Sequence, residues 1–174
     1  EALIKGKASL LGAASGAVAG LVAVTPAAGF TGPIGAIILG LLVSPLCVFA
    51  VSTVKSMFKY DDSLDAFGIH GVGGMFGAIM TGLLVNPAWG GAGIVDYTTC
   101  ARDGDISTCD TATYNMVTQV LAQLQGVGIT VVWTLIGSLI VFAAIKYTIG
   151  LRVSAEVEEE GLDITEHGER AYHS

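Results

Sequence analysis

The sequence predicts an all-α integral membrane protein with four transmembrane helices, and three observations carry that reading. Its 174 residues are 52% hydrophobic and only 13% charged, against about 25% charged in soluble domains. The charges are segregated: residues 8–54 hold no charged residue or histidine, residues 66–95 only His70, and residues 111–145 none. A membrane helix needs roughly 20 apolar residues, so the first run accommodates two spans and each of the others one. Many of the 24 glycines fall inside these runs. Glycine costs about 1 kcal/mol in a soluble helix, but at membrane helix interfaces it admits close backbone approach. A tightly packed polytopic bundle follows.

The spans are expected at about residues 8–29, 33–58, 65–86 and 115–149, within a membrane region covering 1–151. In the first, Gly12, Gly16 and Gly20 recur every four residues, a doubled GxxxG pattern that predicts a helix-packing face. Thr25-Pro26 through Gly32-Pro33 breaks the chain, and Pro33 suits the first turn of the next helix. Pro45 lies inside the second span and is expected to kink it, because it removes a backbone donor and crowds the preceding turn. Cys47 reads as a small core residue.

Lys55 and Lys59 close the second span, and Asp61, Asp62 and Asp65 precede the third. Carboxylates just ahead of a helix are suited to capping its free amides and favour the positive end of its dipole. The loop at 87–114 carries Gly90-Gly91-Ala92-Gly93, four aspartates, and Cys100 and Cys109 nine positions apart. In an oxidising space those cysteines could form a local disulfide. The fourth span outruns a hydrocarbon core of about 30 Å and should tilt or project. Gln119 and Gln123, four apart near its start, are expected to face other helices or the interface.

Lys5, Lys7, Lys55, Lys59, Lys146 and Arg152 collect on one side of this topology, and Arg102 alone on the other. The basic side is expected to be cytoplasmic, with both ends inside, the cysteine loop outside, and the protein multi-pass in the cell membrane. Residues 152–174, with seven acids and two arginines, form a cytoplasmic tail. Acidic segments of this kind are usually solvated and flexible, but Leu162, Ile164 and Tyr172 suit a docking segment better. Position 1 is Glu, which reads as part of a longer polypeptide, or of a processed or truncated one.

His70 is the chemical centre of the sequence. An ionisable group in a membrane span is costly in lipid and marks either a substrate path or a packed, hydrogen-bonded structural position. At helical spacing its neighbours are Ala66, Phe67, Gly73, Gly74 and Gly77, mostly small, which leaves a narrow space or admits another backbone. No nucleophile–base pair, metal cluster or phosphate-binding loop is present, so an enzyme is not expected. Neither a cofactor, a metal nor a nucleic-acid partner is implied.

Three stretches resemble the ammonium transporter (Amt/Mep/Rh) family, closest to its bacterial and archaeal Amt branch. They are Asp61-Asp62 with Asp65-Ala66-Phe67-Gly68-Ile69-His70-Gly71, the run Ser9 to Pro26, and Gly161-Leu162-Asp163 with His167-Gly168-Glu169 and Ala171-Tyr172. The resemblance implies the C-terminal four helices of an eleven-helix inverted-repeat fold that assembles as a homotrimer. It implies transport of ammonium or ammonia, with methylammonium as an analogue, through a hydrophobic twin-histidine pore. His70 would be the second histidine, Val18 an apolar wall residue, and Asp62 and Asp65 supports of the pore helix. Gly161, Leu162, Asp163, His167, Gly168, Glu169 and Tyr172 would belong to the tail that docks a PII-type regulatory protein. The first histidine and the aromatic gates would lie upstream of residue 1. Other readings are an ammonium sensor signalling through the tail and a nonconducting membrane fragment.

Overall fold

The computed structural model describes residues 6–100 and 109–169. Four of its helical rods are long and apolar enough to cross a membrane: Leu10–Ala27, Pro33–Phe58, Phe67–Leu84 and Met116–Thr148. Each starts and stops within a few residues of the predicted span. The chain divides into two compact units, residues 1–128 and 129–174.

In the first unit, α1 (Leu10–Val24) opens with the Ser9 hydroxyl accepting from the Gly12 amide, and tightens into a 3₁₀ turn at Thr25–Ala27. The second rod is composite. It consists of α2 (Pro33–Phe49), a wide π turn, π1 (Ala50–Val54), and α3 (Lys55–Phe58). The third has the same device at its start, with π2 (Phe67–Gly71) leading into α4 (Val72–Leu84). Neither π turn was foreseen from the sequence. The rod runs on through Pro45, and its irregularity lies five residues further along, where the backbone ladder widens.

The core is small-on-large. Ala19, Ala23 and Ala27 of the first rod meet Leu39, Val43 and Cys47 of the second and Ile69 and Leu84 of the third. Of the expected glycine face, Gly16 meets the second rod, where an added Cβ would lie 3.8 Å from Ser44 Oγ, whereas a Cβ at Gly20 would meet nothing within 4 Å. The fully buried stripe is the alanine one. Alanines at i, i+4 and i+8 give a nearly flat face with no side-chain entropy to lose, and Gly20 falls beside it. Gly73 and Gly77 do act as close-approach points. A Cβ at Gly73 would lie 3.5 Å from Cys47 Sγ, and one at Gly77 would collide with the Ala23 carbonyl.

At the far end of these rods the connection folds back on itself. Ala92 N donates to Phe30 O at 2.9 Å and Gly93 N to Val85 O at 2.9 Å. A short hairpin, β1 (Ile94–Val95) against β2 (Thr111–Ala112), pairs Ile94 with Ala112 and Val95 with Thr111. A disulfide joins Cys100 and Cys109. Beside the hairpin the Asp96 carboxylate accepts from the Thr98 hydroxyl at 2.6 Å and the Thr98 amide at 2.9 Å. The hydroxyl first, then the amide, hold this carboxyl below its ordinary value. A depressed carboxyl stabilises the fold above its unfolded pKa, about 3.9, and that contribution is lost as pH falls through the folded value. The Thr98 amide should therefore keep one chemical shift and slow exchange near neutral pH and lose both well below about pH 3.9. A Thr98 amide indifferent to acid would refute this role for Asp96.

The fourth rod, α5 (Met116–Thr148), begins in the first unit. Tyr114 Oη donates to Gly82 O at 2.9 Å, tying its approach to the end of α4. Burial raises the Tyr114 phenol above its ordinary value. A Cβ at Gly82 would lie 3.1 Å from Val120 Cα and 3.2 Å from both Gln119 O and Gln123 Cγ. The Gln123 side chain thus faces α4, one of the two placements expected for it, and Gln119 approaches α4 through its backbone carbonyl.

The second unit contains the rest of α5 and two short helices, α6 (Ala155–Glu160) and α7 (Leu162–Thr165). Ser154 accepts from the Val157 amide, and Arg152 Nε pairs with Glu158 Oε1 at 3.1 Å. The tail is thus locally helical, where a flexible end was one expectation. Gly161, at φ 104°, makes the break between the two helices.

Candidate functional site

The site is built where the second rod ends and the third begins. Lys59 closes α3 in the left-handed region, φ 52°, its amide donating to Lys55 O at 2.8 Å. Asp65 N then donates to Asp62 O at 3.1 Å, closing a turn over Asp62–Asp65. From it the Asp62 carboxylate reaches forward to accept from Phe67 N at 3.0 Å and Gly68 N at 3.3 Å. Those are free amides at the start of π2, so Asp62 is the cap. Asp65 does not cap. Its side chain turns back to Lys55 Nζ at 2.7 Å, and its carbonyl accepts from Ile69 N at 2.9 Å. Residue types and spacing made the two aspartates equivalent candidates; the left-handed backbone at Asp65, φ 55°, separates their roles.

One face of π2 is sealed. Gly68 and Ile69 are buried; a Cβ at Gly68 would lie 2.5 Å from Val51 Cγ1 and 3.4 Å from Val51 N. The buried line continues through Gly73, Gly77 and Thr81, whose hydroxyl bonds back to Gly77 O at 2.9 Å. His70 lies off this line and is exposed. Its imidazole makes no hydrogen bond or ion pair among the described residues. Phe67 folds over Gly71, and its ring meets Tyr60 edge-on at 5.8 Å. Of the small residues expected around the histidine, Gly73 and Gly77 thus serve helix packing.

Val18, 37% exposed, is on the accessible side of α1. The α1 residue over Gly73 and Gly74 is Val22, one turn further along, with Cγ1 3.6 and 3.8 Å from their Cβ positions. A cavity of about 270 Å³ opens between α1, the second rod and π2, with Ser15, Ser44, Ser52, Asp65 and Ile69 among its walls. Among the described residues neither His70 nor Val18 lines it. Of the tail residues, Leu162, Asp163, His167, Gly168 and Glu169 are exposed and Gly161 partly so. Tyr172 lies outside the described residues. Among those residues no cluster of three His, Cys, Asp or Glu side chains could hold a metal ion.

What the sequence reading missed is Lys55. It stood out only as a basic residue at a helix end, and the ten-residue gap to Asp65 gives no periodic signal. The structure brings the two together because the turn at 59–65 reverses the chain.

The molecule is therefore a multi-pass helical membrane protein whose apolar spans carry a single exposed histidine on a widened turn. A model of the Ammonium Transporter Family matches residues 1–172. An ammonium transporter from Aquifex aeolicus is 43% identical over 173 residues, covering 99% of this chain and 36% of that protein. One from Bacillus subtilis is 38% identical over 172 residues, covering 99% and 39%. The crystal structure of Saccharomyces cerevisiae Mep2 superposes with a TM-score of 0.68 at 30% identity, covering 86% of this chain and 31% of that one. The chain belongs to the ammonium transporter family, and it spans little more than a third of these curated relatives.

Proposed function

We propose that this chain forms the C-terminal part of an ammonium transporter and supplies the second histidine of its pore. The observation that carries the proposal is the exposure of His70 on an otherwise apolar membrane helix. An imidazole there is costly against lipid, so its surroundings must be other protein or a water-filled path. A neutral imidazole can donate and accept, and paired with a second one it offers polar sites to a small guest. A bare ammonium ion is strongly penalised in an apolar channel; separate passage of ammonia and a proton removes that cost. Val18 is the wall residue of this path, Asp62 caps the pore helix, and Asp65 supports it. In this reading the Asp61–Asp65 turn and the tail are cytoplasmic, which the distribution of lysines and arginines favours.

The test is direct. The full-length polypeptide in liposomes should give ammonium-evoked current and take up methylammonium; flux no greater than in protein-free liposomes defeats the proposal. The assembly is a trimer in this reading, and α6, α7 and the following residues dock a PII-type regulator. Deleting residues 155–174 should leave flux in liposomes but abolish co-sedimentation of the regulator with the membranes. Undiminished co-sedimentation would refute the docking role.

A further inference from the structure

We propose that Lys55 is a positioning residue: by bridging Asp62 and Asp65 it holds the π turn that carries His70. The inference goes beyond the transport reading in naming what keeps the histidine in place, and its functional arm rests on that reading.

Lys55 is the first residue after π1. Its ammonium donates to Asp62 O at 2.5 Å and to Asp65 Oδ1 at 2.7 Å. Asp65 stands in the left-handed region at φ 55°, a conformation that non-glycine residues hold only where the surroundings over-determine it. The Lys55 bridge is such a determinant, and what it holds is the entry to π2. The Asp65 carbonyl receives the Ile69 amide, and the Asp62 carboxylate receives those of Phe67 and Gly68. All five acceptor and donor residues precede His70 by no more than eight positions and feed one turn.

The opposite side of π2 is pinned to the same rod. Gly68 rests on Val51, inside π1, closely enough that a Cβ would collide. The segments that carry the two widened turns are thus joined twice, by packing of Gly68 against Val51 and by the flanking ion pair Lys55–Asp65. A π turn holds one residue more than an α turn. If π2 relaxed to α-helix, the side chains on one side of it would rotate by about 100° relative to the other. His70 would then leave its present bearing while Gly73 and Gly77 stayed packed. π turns inside helices recur at functional sites, and here the left-handed Asp65, the pinning Gly68 and His70 fall within six residues.

The competing view is that Lys55 is only one of several basic residues fixing topology. Lys59 provides the control: it is four residues away and forms no ion pair among the described residues. In the full-length protein, Lys55→Met, Lys55→Arg and Lys59→Met would each be imaged by electron microscopy and assayed for ammonium current across pH. Lys55→Met should relax π2, move His70, lower current about tenfold and shift its pH profile. Lys55→Arg should restore the turn and most of the current, and Lys59→Met should match wild type. If Lys55→Met keeps π2 and His70 in place with an unaltered pH profile, the proposal is overturned. An equal effect from Lys59→Met would overturn it as well. Should Lys55→Met fail to fold, Asp65→Asn, which removes the ion pair and keeps an acceptor, decides on the same readouts. A wild type without ammonium current would sink the transport reading, while the images would still decide the latch.

Discussion

On the proposed pore role, replacing His70 with alanine in the full-length polypeptide is expected to cut ammonium flux roughly 5- to 150-fold. The range follows from chemistry that needs no particular carried species. A polar guest that loses a hydrogen-bond partner in an apolar passage forfeits about 1–3 kcal/mol, and each 1.36 kcal/mol is about tenfold in rate. The fold should survive, because the imidazole is exposed and bonds to nothing among the described residues, while the neighbouring Ile69 carries the packing. Alanine also keeps the helix. The variant should therefore reach the membrane in normal amount and migrate as the same assembly, with the loss confined to flux or to the charge moved per substrate. Current and methylammonium uptake both equal to wild type would remove His70 from the pathway.

The largest expected effect on stability belongs to Gly77. A Cβ there would overlap the Ala23 carbonyl and fall within 2.9 Å of Ala23 Cα. Both partners are backbone, so no rotamer change relieves the clash and the first and third rods must separate. Overpacking of a core typically costs 1–3 kcal/mol, and Gly77→Val is expected at or above the top of that range, about 3 kcal/mol. Gly20→Ala is the matched control, since its Cβ meets nothing within 4 Å, and surface changes of this kind stay within about 0.5 kcal/mol. Unfolding of both variants in mixed micelles with increasing denaturing detergent would compare them. Equal midpoints would show that the first and third rods do not depend on this contact.

The rods were legible because a bilayer enforces a simple rule on sequence: long uncharged runs, broken where charge, proline and glycine collect. All four spans follow from it. The identity of the packing stripe did not, because alanine and glycine are both small enough to serve. Only the rotation of α1 selects Ala19, Ala23 and Ala27 over Gly20. The two π turns left no trace in the pattern, since one extra residue in a uniformly apolar rod changes no periodicity that can be read. At the site, the acidic turn and His70 were visible as residue types out of place in an apolar chain. The division of labour between Asp62 and Asp65 was not, because it depends on a left-handed backbone at Asp65 and on a lysine ten positions upstream.

The state of the cysteines has a practical consequence. The chain has three: Cys100 and Cys109 are bonded to each other, and Cys47 is buried against Ala19, Val43 and Ile69. The one free thiol, Cys47, is 3% exposed and borders the cavity between α1, the second rod and π2, so little of it is presented to a water-soluble alkylating reagent. A single cysteine placed at an exposed position such as Leu64 or Glu166 would be the one fully exposed thiol of residues 1–174. Spin or fluorescent probes could then report on the acidic turn or the tail without removing any native cysteine, provided that labelling is done without reductant.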